Sequence, residues 1–439
     1  MFARELPGGA SADALAARLS RYPGAFWLDG ESSHPAGRWS FLGAAPTERV
    51  VARQGDPDPL AALDGLHTAG DGPAELPGAP DPADVPRWVG YVAYDAHFAA
   101  ASAVSGRPVL CFARHPAVIA LDHRSGRALL LGDDVLSCDR LQALVDTPAP
   151  EPAPARIGSL QVTDADRHRA AIGAALEHIA AGDIYQVNLA RRWSAPFEGS
   201  PFSLWQRLRA ASPVPFGFYF DDGERCVMAR TMERFLRWDR RGDRVETRPI
   251  KGTIARAGDR DAEEASRLRA DEKEQAEHAM IVDLMRNDLG RVGRLGSVRV
   301  QRVMAVEPFA GLSHLVSTVC CRLRPGVGLR ELIGATFPPG SVTGTPKLRA
   351  IEVIAALEDV PRDVYTGAVG FCDRAGGASL AVAIRTAITE PGRVRYWAGG
   401  GIVEASDPER ELEETQLKAR VFLDAVRALQ PLPSAEGAS

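Results

Sequence analysis

Three observations predict a mixed α/β fold built on a large sheet. Short strand-like runs recur through the first third of the chain, a period-two strand lies near its middle, and long helical segments occupy much of the rest. The early runs are Ala25-Phe26-Trp27-Leu28, Glu48-Arg49-Val50-Val51 and Gly90-Tyr91-Val92-Ala93-Tyr94, separated by turn-rich stretches such as Gly70 to Pro82.

Thr147 to Ala155 alternates proline with small or charged residues, a composition that favours extended backbone and continues neither a helix nor a central strand. It predicts an N-terminal region over 1–147, a linker over 148–155, a catalytic region over 156–430 and a disordered tail over 431–439. Beyond the linker, Thr163 is placed to cap a helix from Asp164 to about Ala181, with Ile172, Leu176 and Ile179 on one face and Gly182 as its stop. Ile184 to Leu189 then alternates, so that Gln186 and Asn188 share one strand face while Tyr185, Val187 and Leu189 share the other. A polar strand face of this kind suits the wall of a substrate cleft. Asp271–Leu289 and Pro408–Leu429 read as long helices.

With 439 residues, 45% hydrophobic and 25% charged, the chain has material for a large core. A net charge of -5 gives no footprint for nucleic acid or anionic lipid, which leaves a small molecule as the expected partner. Cys111, Cys138, Cys226, Cys320, Cys321 and Cys372 form no Cys-x-x-Cys pair, so buried reduced thiols are expected instead of a zinc site or disulfide framework. Glu5 and Pro7 interrupt the N-terminus and no segment has bilayer-spanning apolar length, which predicts a soluble cytoplasmic protein.

The candidate chemistry begins at Lys251, held between the stiff Pro249-Ile250 pair and Gly252; a solvated surface lysine fits the same residues. Glu274 and Glu277 lie three apart on one predicted helix, and Glu411 and Glu414 three apart on another. Such pairs commonly face solvent, yet carboxylates converging from two helices are also how proteins hold magnesium. Phe337 to Lys347 is a loop of glycines, hydroxyls and one lysine that offers N–H groups and a cation to an anion. It lacks the Gly-Lys-Ser/Thr of a nucleotide P-loop. Gly399-Gly400-Gly401 permits close approach to a ligand; Arg385 suits a carboxylate or an ordinary ion pair, and His314 reads as a base, a donor or a satisfied core histidine.

In their order along the chain, Gly182 to Leu189, Pro249 to Thr253, Ala276-Glu277-His278 with Met280 to Asp288, Phe337 to Lys347, Gly399 to Val403 and Glu411 to Thr415 closely resemble the chorismate-utilising enzymes. The resemblance covers Thr163 to Leu423, and Gly37 to Gly43 is similar, more loosely, to the N-terminal region of the aminating branch. It implies an α/β (α+β) fold with large antiparallel-rich sheets sandwiched between helical layers, and a magnesium-dependent enzyme acting on chorismate. It assigns Glu277, Glu411 and Glu414, with Glu274 as a weaker candidate, to magnesium. Tyr365, Arg385, Gly401 and Lys418 are assigned to substrate carboxylates, and Gln186, Thr253, Thr343, Lys347 and Gly400 to the substrate site. His314 is placed near the reacting ring.

Relatives that add water to chorismate carry a general-base lysine at the Gln186 position, and a neutral amide cannot deprotonate water, so ammonia is the implied nucleophile. Anthranilate-forming relatives have alanine at the Lys251 position, whereas the branch that makes aminodeoxychorismate, toward para-aminobenzoate and folate, commonly has lysine. Lys251 would act as a covalent nucleophile and Glu233 as the acid that helps hydroxide leave. Arg248 and the substrate loop are expected to supply positive charge beside the amine. An anthranilate-forming enzyme and a silent chorismate-binding regulator are the rival readings.

The chain departs from the family pattern at Thr231-Met232-Glu233, where Ser-Pro-Glu is usual. Pro213 to Gly217 lacks the Tyr-Met pair of tryptophan-inhibited relatives, so tryptophan feedback is not expected. A structural tryptophan would lie near Ser32, Arg38, Trp39, Ser40, Phe41, Pro215, Phe216 and Gly217. No cysteine sits in a Gly-x-Cys-x-Gly turn, so a separate glutamine amidotransferase subunit, component II, is the expected ammonia source.

Overall fold

The structure, a computed structural model, describes residues 1–6, 11–31, 34–66, 72, 74, 76–98, 106–148, 151–256, 258, 261–309 and 311–432. The expected class is what it has: two large, almost wholly antiparallel sheets packed together, with helices against them. Among the described residues the larger sheet has 14 strands and the smaller 10. The one parallel pair joins Gln430–Pro431 to Arg156–Ile157.

The core lies between the sheets. Phe41, Phe218 and Val227 of the larger sheet meet Val89, Phe112, Leu236 and Leu380 of the smaller one in a single buried cluster. Pro86–Val92 is buried along its whole length, which accounts for an apolar run without alternation. Glu48–Arg53 lies at the sheet edge, where exposed charges discourage further pairing. On the other face of the larger sheet, the Pro201–Ala211 and Pro408–Arg427 helices bury Trp205 and Phe422 against Trp27 and Tyr396. The Glu272–Gly290 helix packs on the Leu312–Arg322 strand of the smaller sheet. No helix of the described residues is long and apolar enough to cross a membrane, and all six cysteines are free and buried.

Several expectations are corrected. Asp164, not Thr163, caps the Ala165–Ala180 helix: its side chain accepts from the Arg167 N–H, while Thr163 Oγ1 accepts from the Arg192 N–H. The predicted strand begins at Gln186 and runs to Glu198, leaving Tyr185 outside it and 64% exposed. In each sheet the strands from before the proline-rich segment and those from after it form two blocks that join once, where Phe26–Asp29 pairs with Phe216–Asp221 and Pro86–Val92 with Ala368–Asp373, so both parts build both sheets and the shared core. Of the expected tail, Pro431 belongs to a short strand and 433–439 lie outside the described residues.

The Phe422 ring is fully buried and stacked on Tyr396, with centroids 4.5 Å apart and planes 4° apart. Phe422→Ala should therefore lower unfolding free energy by about 3–5 kcal/mol, as measured by urea denaturation.

Candidate active site

Lys251 owes its direction to a bulge. The Ile250–Ala255 strand pairs Lys251 with Leu315 and Thr253 with His314, so Gly252 is an extra residue in the ladder. Gly252 has φ +67°, a left-handed conformation that a side chain would strain. Lys251 Nζ donates to Glu277 Oε2 at 3.3 Å; the two side chains are 17% and 16% exposed.

The opposite wall is the pairing of Gln186–Glu198 with Arg393–Ile402, in which Asn188 faces Gly401. A Cβ at Gly401 would lie 2.8 Å from Gln186 Nε2 and 3.3 Å from Lys251 Nζ, and one at Gly399 would lie 3.0 Å from Asn188 Oδ1. The glycines thus leave space where Gln186, Asn188 and Lys251 converge. Both amide atoms of Gln186 and Oδ1 of Asn188 are buried without a hydrogen-bond partner among the described residues. Buried polar groups are ordinarily satisfied, so this cluster marks a place for a polar ligand.

His314 Nδ1 lies 3.0 Å from Thr253 Oγ1 and 3.1 Å from the Gly252 carbonyl. A carbonyl only accepts, so Nδ1 carries the proton and Nε2, buried without a described partner, is left as an acceptor. Burial lowers the imidazole to about 4, with the Arg385 charge acting in the same direction, so the ring is neutral at pH 7. Arg385 has φ +51° and no ion pair to a described carboxylate; burial lowers its pKa. A guanidinium held this way suits a ligand carboxylate.

Glu233 is buried between the sheets. Burial raises its carboxyl from 4.5 to about 7, against the opposing pull of the Ser341 hydroxyl, the Lys251 charge and the Ile250 N–H. A carboxyl near 7 is poised to give or take a proton at neutrality.

The acidic residues approach the glycine pair from two sides. A Cβ at Gly400 would lie 2.7 Å from Glu411 Oε2 and 3.8 Å from Glu414 Oε1, whereas Glu277 stands with Lys251 on the Gly401 side. Glu411 Oε1 accepts from Ser406 Oγ at 2.7 Å, and Glu414 pairs with Lys418 at 2.6 Å. Lys418 also donates to the Gly399 carbonyl. Glu274 Oε2 lies beside Gly252, 3.2 Å from where a Cβ would be. No group of three His, Cys, Asp or Glu side chains is gathered for a metal among the described residues. Magnesium commonly takes one or two carboxylates and completes its shell with water and substrate oxygen; Glu411 and Glu414, side by side at Gly400, are the pair that fits this chemistry, while Glu277 stands on the Gly401 side.

Other expected site residues are placed differently. Lys347 Nζ donates to Asp288 Oδ2 at 2.6 Å, the Thr336 carbonyl at 2.7 Å and the Pro338 carbonyl at 2.8 Å, which uses all three donors inside the protein. Contrary to expectation, it pins the loop and offers no cation to a ligand. Thr343 is fully buried, with its hydroxyl donating to the Pro339 carbonyl. Tyr365 stacks on Trp397, two residues from Gly399 on the same strand face, and burial raises its phenol. Arg248 is tied to Glu307, so the charge expected beside Lys251 is instead the Glu277 carboxylate.

Arg38, Trp39, Phe41, Pro215, Phe216 and Gly217 line one cavity of about 270 Å³. Ser40 faces away, its hydroxyl accepting from the Gly30 N–H and bonded to His123; Ser32 lies outside the described residues. The sequence reading missed Ser341 and His278 as site neighbours. His278 Nε2 bonds Ser317 Oγ at 2.7 Å, and burial with the Lys251 charge lowers it to about 4. Its position after Glu277 was the available signal.

Residues 24–424 match the chorismate binding enzyme family, and the chain belongs to it. It is 39% identical to anthranilate synthase component 1 of Streptomyces coelicolor over 89% of this chain and 81% of that one. It is 38% identical to an aminodeoxychorismate synthase of Streptomyces griseus over 76% of this chain and 49% of that one. It is also 40% identical to aminodeoxychorismate synthase component 1 of Salmonella typhimurium over 57% of this chain and 54% of that one. The chain thus spans about half the length of the latter two. Anthranilate synthase component I from Streptococcus pneumoniae superposes with a TM-score of 0.74 at 29% identity, covering 87% of this chain and 91% of that one. The menaquinone-specific isochorismate synthase from Escherichia coli, at 21% identity and a TM-score of 0.73 over 97% of this chain and 94% of that one, shares the fold.

Because Glu233 binds its proton more tightly folded than unfolded, its contribution to stability is full below pH 4.5 and is lost as pH rises to about 7. Glu233→Gln removes this dependence. The stability difference from wild type should shift in favour of the variant across that window and level off above it, as measured by urea denaturation at a series of pH values.

Proposed function

We propose that the chain is the chorismate-acting component of an aminodeoxychorismate synthase, joining ammonia to chorismate through a covalent Lys251 intermediate. The observation that carries this reading is the placement of the Lys251 amine at the cleft formed by Gln186 and Gly401, with Glu233 within its electrostatic reach. Gln186 offers amide groups and no base for water, which favours ammonia. Arg385 would hold a carboxylate of the substrate, and the neutral His314 would present Nε2 toward it.

In the first step Lys251 Nζ, after giving up its ammonium proton to water, forms a bond to the ring carbon ortho to the carboxylate. Both ring double bonds shift by one position and the para C–O bond breaks, with the Glu233 proton leaving as part of water. The new secondary ammonium then loses a proton. In the second step ammonia bonds to the para carbon, both double bonds shift back, and the Lys251 C–N bond breaks with the departing nitrogen taking a proton from Glu233, to which the new para ammonium then returns one. The sum is chorismate plus ammonia giving aminodeoxychorismate and water. Magnesium, held by Glu411 and Glu414, would neutralise charge on the ring carboxylate. Ammonia would come from a separate glutamine amidotransferase component, consistent with relatives named component 1.

Anthranilate formation is the second reading, favoured by the relative that matches 89% of the chain. Purified protein with chorismate, a magnesium salt and ammonium should form aminodeoxychorismate, identified by mass. Lys251→Ala should reduce its formation by about 100-fold or more. Fluorescent anthranilate from the wild type, or undiminished aminodeoxychorismate from the variant, would overturn the proposal.

A further inference from the structure

Glu233 sits on the two-residue passage between the sheets. Cys226–Thr231 is a strand of the larger sheet and Arg234–Asp239 a strand of the smaller, so Met232 and Glu233 alone make the crossing. The passage holds no proline, so its backbone is restrained by its side chains and its neighbours. Thr231 is fully buried and its Oγ1 accepts the Glu233 N–H at 3.2 Å. The Glu233 carbonyl accepts from the Val382 N–H at 3.0 Å. Both polar groups of the Glu233 backbone are therefore fixed, one by a hydroxyl and one by the smaller sheet.

Met232 supplies the other restraint. It is buried in a small cluster with Val214, Phe309 and Val316, against which Ile250 and Ile384 pack. This cluster is separate from the main core, and its members border the site: Ile250 precedes Lys251, Ile384 precedes Arg385, and Phe309 makes an edge contact with the His314 ring at 5.1 Å. An unbranched thioether fills such an irregular junction well. Its packing sets how Glu233 stands relative to the amine, the guanidinium and the imidazole.

We propose that Thr231 and Met232 are positioning residues for Glu233, the hydroxyl of one and the packed side chain of the other holding the carboxyl toward Lys251 and Ser341. Neither needs to touch substrate. The inference rests on the proposed reaction for its kinetic consequence, and on the ligand-free geometry for its direct one.

Thr231→Val keeps the shape and removes the acceptor, whereas Thr231→Ser keeps the acceptor; Met232→Ala empties the junction and Met232→Leu refills it. Thr231→Val and Met232→Ala should lower kcat about tenfold with KM for chorismate unchanged within about twofold, while Thr231→Ser and Met232→Leu retain wild-type kcat. In ligand-free protein, infrared difference spectra of carbon-13 glutamate-labelled samples against Glu233→Gln report the carboxyl titration. The wild-type transition near pH 7 should move down in Thr231→Val as the loosened carboxyl reaches water.

Wild-type kcat and titration in Thr231→Val would overturn the proposal, as would equal losses in Thr231→Ser and Thr231→Val. A wild-type protein that turns over no chorismate defeats the proposed reaction instead, and the infrared titration then decides the positioning role alone.

Discussion

The contact between Lys251 and Glu277 ties together everything that makes the site. It joins a strand of the smaller sheet to the helix packed on it, and it fixes the amine where a glycine strand of the larger sheet leaves room. With both groups mostly withdrawn from water, removing either partner would leave a poorly solvated charge. The contact depends in turn on the Gly252 bulge, since a regular ladder would give Lys251 a different direction. A backbone irregularity, a close glycine row and an ion pair thus act as one constraint.

Around that constraint the protein leaves polar groups unsatisfied. Gln186, Asn188 Oδ1 and His314 Nε2 are buried without described partners, and each such group costs on the order of 1–3 kcal/mol. Arg385 adds a left-handed backbone conformation that its side chain does not favour. The two sheets share a continuous core broad enough to bear these costs, and a polar, carboxylate-bearing ligand would recover them. Stability invested in the fold is in this way exchanged for preorganisation at the site.

Local pattern made much of this legible. The period-two alternation of Gln186 and Asn188 and the glycine run correspond to the facing strands that leave the space beside Lys251. Pattern was less informative wherever tertiary pairing decided the outcome. Lys347 and Thr343 occur in a loop whose composition suits anion binding, yet their polar groups turn inward to hold that loop. The proline-rich segment reads as a boundary because composition records local stiffness, while the joining of the strands on either side of it into each sheet depends on contacts distant in sequence. Likewise the bulge at Gly252 and the burial of Glu233 come from strand register and sheet packing, which single residues do not encode.

The central claim is that Lys251 becomes covalently joined to the substrate ring. Acid quenching of the protein after mixing with chorismate and a magnesium salt, without ammonium, followed by peptide mass mapping, tests it most directly. The account predicts a Lys251 peptide heavier by chorismate less one water, discharged to aminodeoxychorismate when ammonium is added before the quench. Aminodeoxychorismate formed with no such peptide at any time, or a Lys251 adduct that ammonium leaves untouched, would contradict it.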